Sequence, residues 1–375
     1  MAKNITEMPI TETVERAKKL ARAGDNTFEK VRGISQDVYC RELATKFDWN
    51  FLIVSSSIVT IDKYDTGTVS INTGSRIASF STTATMVAAM NGRRIKFTGN
   101  DVVYEISSFM TAQSLQILPE LRGPNNLSST TYSVFQPVYA LAGNFDRFPK
   151  DGGLFKWEGG AKTRLPEKSY QDFTDDYQAT PSDPDALRLI SYDTAGNPQI
   201  ELTPPPSKAR VLGYDYLKKL TPLVETTAGT ISSINAGTTT VSGNTNTKFL
   251  DAYINGSNNL WFRIDALGVG NDSQWYPVLA ITNDSSLTLG VAFANTAITS
   301  SANYTIAQAP DMPTRMHPAI LYRTLAILGL DQNDDSAQAY QAQYAEVLSD
   351  AKRIHVSRNY STEFRSIAED IEYRR

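Results

Sequence analysis

The spacing of apolar and polar residues changes its period twice along the chain. Near the N-terminus apolar residues recur at helical spacing, which predicts a helix over about 10–23 and a second helix that begins after Thr27 and ends near Asp48. The pattern then changes to short strands bounded by glycine, asparagine and aspartate, and it returns to helical spacing after Thr314. Helices at both ends with strands between them indicate an α+β protein.

The strand region contains the same β-module twice. Three residues of the first copy recur in the second at a constant distance of 172 positions: Tyr104 and Tyr276, Leu115 and Leu287, Tyr132 and Tyr304. The first strands also match, 67–70 with 229–232, at a distance of 162 positions, so the second copy has gained about ten residues near Asn255. Two copies in register predict one strand order for both modules, with matched residues in matched places.

These patterns predict a helical bundle, formed by the terminal helices, with two inserted antiparallel β-modules and an amphipathic C-terminal tail. Each module is expected to be a sandwich or a small barrel. The predicted divisions are 1–50 for the N-terminal helices, 51–139 for the first module, 140–224 for a strand and loop region with a proline-rich turn, 225–309 for the second module, 310–354 for the C-terminal helices and 355–375 for the tail.

Some finer expectations follow from the same patterns. Residues 186–190 and 199–202 are predicted to pair as strands, followed by a strand over 209–216. The apolar faces of the C-terminal helices (Leu321, Leu325, Leu328, Tyr340, Tyr344, Leu348) are expected to pack against the second N-terminal helix (Val31, Ile34, Val38).

Composition narrows the class of protein. The net charge of −4 gives no general positive field that would attract nucleic acid. The only cysteine, Cys40, cannot form an internal disulfide, which fits a reducing compartment, and its helical context predicts a buried small side chain. The polar start predicts no secretory signal, and there is no run of about 18 apolar residues that would cross a membrane.

The sequence predicts no catalytic, cofactor or metal site, and hence no enzyme. Two histidines, His317 and His355, are too few and too far apart for a metal site, and His317 is expected at a helix start in a capping or surface role. A carbohydrate-binding or carbohydrate-cleaving protein is the alternative. Its candidate groups are the carboxylates Glu167, Asp172, Asp175 and Asp176 and the aromatic residues Trp261, Trp275 and Tyr276. For the carboxylates a solvated loop is the commoner explanation, and for the aromatic residues it is core packing.

An ordered series of motifs in the middle of the chain resembles the head-to-tail adaptor (connector) proteins of tailed bacteriophages. The series is Leu187-Arg188-Leu189, Ile200-Glu201-Leu202, Pro204-Pro205-Pro206, Leu212-Gly213-Tyr214-Asp215-Tyr216 and Thr221-Pro222-Leu223. Residues 316–322 and 337–340 of the helical part and 67–70, 92–95 and 104–106 of the first module are also similar to that family. The chain departs from the pattern in its second module and in Lys218-Lys219, which stand where an arginine is expected.

The resemblance implies a virion structural protein at the head-tail junction, assembled in the host cytoplasm. It implies a homo-oligomeric ring, commonly a dodecamer, which joins the portal protein to a tail or nozzle protein. The ring lines a channel through which genomic DNA passes without sequence-specific binding. It implies no catalysis, no cofactor and no membrane partner.

The C-terminal tail is the predicted portal-binding site. Phe364, Ile367 and Ile371 recur at helical spacing, and no other part of the sequence is an obvious partner for this apolar stripe. The candidate portal-binding residues are Arg358, Tyr360, Phe364, Ile367, Ile371 and Tyr373.

Overall fold

The structure is a computed structural model that describes residues 8–21, 27–150, 152–158, 161–175, 180–252, 259–265, 274–332 and 334–356. The chain divides into two compact units. We call Leu52–Lys218 the central unit, and Met1–Phe51 together with Lys219–Arg375 the terminal unit.

The helices near both ends of the sequence begin and end close to where the sequence predicts, whereas the short helix over Tyr170–Asp175 was not predicted, since its carboxylates were expected in a solvated loop. They are α1 (Ile10–Leu20), α2 (Phe28–Asp37), α3 (Ala44–Lys46), α4 (Tyr170–Asp175), α5 (His317–Asp331) and α6 (Ser336–His355), and a π-helix (Val38–Leu43) joins α2 to α3. Thr27 is the N-cap of α2, because its hydroxyl accepts a hydrogen bond from the N–H of Lys30 at 3.2 Å. In the same way, the carboxylate of Asp334 accepts from the N–H of Ser336 at the start of α6.

The predicted architecture, a bundle of terminal helices with the β-modules as insertions, is wrong: the chain is mostly antiparallel β-sheet. Helices α1, α2, α5 and α6 have between 10 and 20 residues each and lie in the terminal unit alone. The strands bury their apolar side chains against one another in cores of their own. A helical frame was inferred because both ends of the sequence have helical periodicity, but periodicity does not reveal which elements share a core.

Within the terminal unit, α5 packs on α1, α2 and α6. Leu325 and Leu328 of α5 are buried, as is Val31 of α2. The hydroxyls of Ser35 and Thr324 lie 3.1 Å apart in this contact, so a buried hydrogen bond joins α2 to α5. The expected packing of α5 against the second N-terminal helix is therefore present, although it is a local contact and not the frame of the protein.

The central unit contains strands β1 to β15. They are β1 (Ile53–Val59), β2 (Val69–Ile71), β3 (Ile77–Phe80), β4 (Arg94–Phe97), β5 (Val103–Thr111), β6 (Ser114–Leu118), β7 (Leu127–Thr130), β8 (Tyr132–Phe135), β9 (Val138–Ala140), β10 (Phe145–Arg147), β11 (Gly153–Glu158), β12 (Ala161–Arg164), β13 (Ala186–Tyr192), β14 (Pro198–Thr203) and β15 (Val211–Lys218). The predicted strand pair is β13 with β14, and the predicted strand after it is β15.

Two sheets of the central unit share one core. One has the order β1-β15-β11-β12, with β10 also paired to β15, and the other has the order β13-β14-β9. Side chains at alternate positions of β15, Leu212, Tyr214 and Tyr216, point into this core. The hydroxyl of Tyr216 donates to Asn144 at 2.6 Å, so this polar group is satisfied inside the core.

The first module is a seven-stranded sheet of the order β7-β2-β3-β6-β5-β4-β8. Its two end strands, β7 and β8, are consecutive in the chain and are separated only by Thr131. The sheet must therefore curl, and its inner face encloses an apolar core that includes Tyr104, Leu115 and Tyr132.

The second module lies in the terminal unit and has its own seven strands. They are β16 (Glu225–Thr226), β17 (Ile231–Ser233), β18 (Thr240–Gly243), β19 (Leu260–Ile264), β20 (Tyr276–Asn283), β21 (Ser286–Leu289) and β22 (Tyr304–Gln308). Their order is β16-β22-β19-β20-β21-β18-β17, and a bridge between Ile231 and Ala302 brings β17 to the segment before β22.

The two modules have the same strand order. Read from the other end, β17-β18-β21-β20-β19-β22 corresponds strand for strand to β2-β3-β6-β5-β4-β8. The cross-strand partners agree as well, since Ala78 lies opposite Leu115 where Val241 lies opposite Leu287. The repeat seen in the sequence therefore corresponds to one topology used twice.

A glycine at the start of each module lies where its backbone comes very close to another segment of the same module. Gly67 and Gly229 have φ of +85° and +80°. A Cβ atom at Gly67 would lie 2.5 Å from Ser81 Oγ, and one at Gly229 would lie 2.6 Å from the backbone of Asn246. Both positions require glycine for conformation and for space.

Candidate interaction surfaces

The six tail residues predicted to bind the portal lie outside the described residues. The last described residue, Val356, is where the tail begins. Val356 forms an antiparallel bridge with Trp49, and its N–H bonds the carbonyl of Lys352 at 3.3 Å. The point of departure of segment 357–375 is therefore fixed by a contact with the N-terminal part of the terminal unit.

Aromatic side chains surround this point of departure. Trp49 is fully buried, and its indole N–H donates to the carbonyl of Leu43 at 2.7 Å. Its ring stacks on Phe51 with centroids 5.8 Å apart, and Phe51 meets the ring of His355 edge to face at 6.0 Å. Because large aromatic residues supply much buried area, this cluster holds the last turn of α6. We call Trp49, Phe51 and His355 the aromatic anchor.

A groove of about 450 Å³ lies beside the aromatic anchor, at the end of α6. Its lining includes Arg315, Val347, Asp350 and Ile354, so apolar side chains and both signs of charge line it. Burial, together with the nearby charge of Arg315, lowers the pKa of His355, which keeps this imidazole neutral around neutral pH.

The central unit carries a row of exposed apolar side chains. Val59 and Val211 lie directly opposite each other on β1 and β15 and are 62% and 57% exposed. On β11, Trp157 is 52% exposed and continues this row, because Phe155 two residues before it lies opposite Gly213. We call Val59, Val211 and Trp157 the apolar row.

Gly213 determines how Trp157 lies on the sheet. A Cβ atom at Gly213 would be 2.5 Å from the end of the Trp157 ring, so only glycine leaves room for the indole to lie across the neighbouring strand. The apolar row was not predicted from the sequence. The available signal was Gly213 itself, a residue without a side chain in a strand of otherwise large residues.

A second cavity, of about 670 Å³, lies within the terminal unit around Arg263. The guanidinium of Arg263 is nearly buried and makes two hydrogen bonds to Glu15, of 2.7 and 2.8 Å, and one to Asp265, of 3.0 Å. It also lies over the ring of Trp275, 4.6 Å from the centroid. These contacts join α1 to the second module, and because they use the charge of Arg263 within the protein, they indicate a structural role.

Two carboxyls in this cavity are shifted in opposite directions. The hydrogen bonds from Arg263 lower the pKa of Glu15. Burial raises the pKa of Glu225, whose nearest described cation is Arg32 at 3.9 Å.

The described groups considered for carbohydrate recognition lie in two different units. Trp275 and Tyr276 are buried, as core residues are, while Glu167 and Asp172 are exposed. Asp176 lies outside the described residues.

His317 and Cys40, two further residues considered from the sequence, are buried differently from what was expected. His317 is buried and not at the surface as expected: its Nδ1 accepts from the N–H of Met8 at 3.0 Å, and its Nε2 lies 3.1 Å from the carbonyl oxygen of Met312. Cys40 is half-buried and not fully buried, and burial raises the pKa of its thiol to about 11, so no thiolate forms at neutral pH.

Two kinds of site are absent from the part of the chain that the structure describes. Within the described ranges, no three residues of histidine, cysteine, aspartate or glutamate are grouped to hold a metal ion. Of the helices that the structure describes, none combines the length and apolar character needed to cross a membrane.

Comparisons with known proteins do not assign the chain to a family. A scan against models of protein families gives no match. A search of curated proteins also gives no match.

Proposed function

We propose that this chain is a bacteriophage virion structural protein, a head-to-tail adaptor whose ring joins the portal to the tail and surrounds the passing genome. The observation that carries this proposal is the aromatic anchor, which fixes the start of a C-terminal segment next to a groove. Such a fixed departure suits a segment that reaches a partner in a defined direction, because less conformational freedom is lost on binding.

The series of motifs that resembles the adaptor family gives a second support. Residues 187–189, 200–202 and 212–216 lie on β13, β14 and β15, which form the core of the central unit. Arg188 and Glu201 lie directly opposite each other and form an ion pair, with Arg188 Nε 2.9 Å from the carboxylate. These three motifs therefore contribute to one core, which supports the resemblance.

The tail sequence gives the chemistry of the portal contact. Phe364, Ile367 and Ile371 recur at the spacing of one helical face. Full burial of each such side chain is worth about 1.5–3 kcal/mol, so three together supply enough free energy to dock a short helix on an apolar groove.

A truncation experiment tests the portal contact. A chain that ends at Val356 is expected to keep its fold, because the aromatic anchor is retained, and to lose binding to the portal protein of the same phage. The triple substitution of Phe364, Ile367 and Ile371 by alanine is expected to give the same loss. A matched control replaces the polar residues Thr362 and Ser366 by alanine and is expected to bind normally.

Localisation tests the proposal as a whole. Antibody against this chain is expected to label the neck of the particle in electron micrographs, between head and tail. Label on fibres or a baseplate, together with binding of the purified chain to host glycans, would replace the adaptor by the carbohydrate-binding alternative.

A further inference from the structure

We propose that the sheet β1-β15-β11-β12 continues from one copy of the chain to the next, with β1 of one copy paired to β12 of its neighbour. This inference rests on the proposed ring and names the contact that would close it. Both strands are ends of the same four-stranded path, and each pairs on one side only among the described residues.

The open side of β1 presents a regular row of backbone groups. Thr60 donates its N–H to the carbonyl of Arg210, so in this antiparallel ladder the pair 60 and 210 is hydrogen-bonded. Bonded pairs alternate with non-bonded ones, and the N–H and C=O groups of Ser55, Ser57 and Val59 therefore point to the open side. The side chains of these three residues are also exposed.

The open side of β12 presents a matching row. Leu165 donates its N–H to the carbonyl of Leu154, which makes the pair 154 and 165 a bonded one. By the same alternation, the backbone groups of Lys162 and Arg164 point away from β11. In both strands the outward residues are two positions apart, which is the spacing that an antiparallel ladder requires.

The directions of the strands also agree. Each step along β1-β15-β11-β12 is antiparallel, so β12 runs opposite to β1. A second copy in the same orientation, placed beside the first, brings its β1 antiparallel to β12. This contact uses two different surfaces, so repetition by a fixed rotation produces a ring when the rotation closes.

The side chains at the two edges do not repel each other. Between Ile53 and Val59 there is no charge and no proline, the devices that commonly protect an exposed edge strand from pairing. The edge of β12 carries Lys162 and Arg164, and within the chain Lys162 Nζ lies 3.5 Å from the carboxylate of Asp215. A β12 strand placed against β1 therefore brings its cations to an edge that has no charge of its own.

The first test removes one backbone donor from the open edge. Ser57→Pro deletes an N–H that points away from β15 and has no partner among the described residues, and proline is tolerated where the N–H of an edge strand faces outwards. The purified full chain is compared with Ser57→Ala, which keeps the donor. By sedimentation, Ser57→Pro is expected to need about tenfold more protein for half-assembly, whereas Ser57→Ala assembles like the natural chain.

The second test uses charge and does not depend on whether the proline variant folds. Ser57→Lys places a cation opposite the cations of β12 and is expected to weaken assembly. Ser57→Glu has a side chain of similar length with the opposite charge and is expected to leave assembly intact or strengthen it. The melting temperature of each variant is measured beside that of the natural chain, so that a loss of assembly at an unchanged melting temperature is assigned to the edge.

The outcomes separate this inference from the proposed function. Equal assembly of Ser57→Lys and Ser57→Glu, or a chain that stays monomeric at every concentration, overturns the edge pairing. Neither result changes where the antibody labels the particle or whether the tail binds the portal, which are the readouts of the adaptor proposal.

Discussion

Tyr132 and Tyr304 make the same hydrogen bond in different modules. The hydroxyl of Tyr132 donates to the carbonyl of Thr66 at 2.6 Å, and that of Tyr304 donates to the carbonyl of Ala228 at 2.6 Å. In each module this bond ties the last strand to the turn just before the first glycine. Burial raises the pKa of both phenols, so they remain protonated donors across the physiological range.

A second pair of tyrosines repeats the relationship. The hydroxyl of Tyr104 accepts from the N–H of Arg122 at 3.0 Å, and that of Tyr276 accepts from the N–H of Ala294 at 3.2 Å. The partners Arg122 and Ala294 are 172 positions apart, as the two tyrosines are. Polar anchors inside the two cores are therefore repeated together with the strand order.

The tyrosine anchors predict matched stability changes in the two units. Tyr132→Phe and Tyr304→Phe each remove the donor of a part-buried hydrogen bond, which costs about 0.5–1.5 kcal/mol. Chemical denaturation with a probe in each unit is expected to show Tyr132→Phe acting on the central unit and Tyr304→Phe on the terminal unit. Tyr192→Phe, at a position 71% exposed, is the control and is expected to change neither transition.

The contact of α5 with α2 predicts a large cost for truncation at Leu325. This side chain is almost fully buried, so Leu325→Ala is expected to destabilise the terminal unit by about 2–5 kcal/mol. Leu330 lies on the same helix but is 64% exposed, and Leu330→Ala is the matched control with little expected effect. Equal melting temperatures for the two variants would contradict the packing.

The ion cluster of Glu201, Arg94 and Arg188 predicts that the stability of the central unit depends strongly on one carboxylate. Glu201 is buried and lies 2.6 Å from a guanidinium nitrogen of Arg94, while Arg188 binds its other oxygen. Glu201→Gln removes the charge that compensates two partly buried cations, which is expected to cost about 3–5 kcal/mol. Glu120→Gln breaks an exposed pair with Arg76 and serves as the control. Equal shifts of the urea midpoint of the central unit for both substitutions would show that the cluster contributes no more stability than the exposed pair.

The cavity around Arg263 predicts opposite pH effects at two carboxyls. The lowered pKa of Glu15 means that its ionised form stabilises the folded chain, a contribution that is present above the unfolded pKa and is lost as pH falls through the folded pKa. The raised pKa of Glu225 means that ionisation costs the folded state. This cost is absent below the unfolded pKa and grows as pH rises through the folded one.

Glutamine substitutions measure both effects. At neutral pH, Glu15→Gln is expected to destabilise the terminal unit and Glu225→Gln to stabilise it. The Glu225 difference is expected to disappear below the pKa of about 4.3 of an unfolded glutamate, and the Glu15 difference is expected to disappear only at lower pH, below the lowered folded pKa of Glu15. Unfolding curves at several pH values check this, and two differences of the same sign at neutral pH would show that one environment is misassigned.

Local elements and the repeat were predictable from the sequence because they depend on residues close together or on simple spacing. The cap at Thr27, the strand pair of β13 and β14 and the constant distance between Tyr104 and Tyr276 required no knowledge of the fold. The tail residues from Arg358 to Tyr373 are a hypothesis of the same kind, since their stripe is read from spacing alone.

The sequence by itself determined the repeated module and the ends of most elements, because periodicity, turn residues and caps act within a few residues of the chain. Only the tertiary structure decided that sheets, and not terminal helices, build the cores, since strands such as β1 and β15 pair over about 150 positions. It alone also brought Val59, Val211 and Trp157 into one exposed row and left the backbone of Ser57 at an open edge. Which edge stays open depends on how all strands pair, and that is a property of the whole fold.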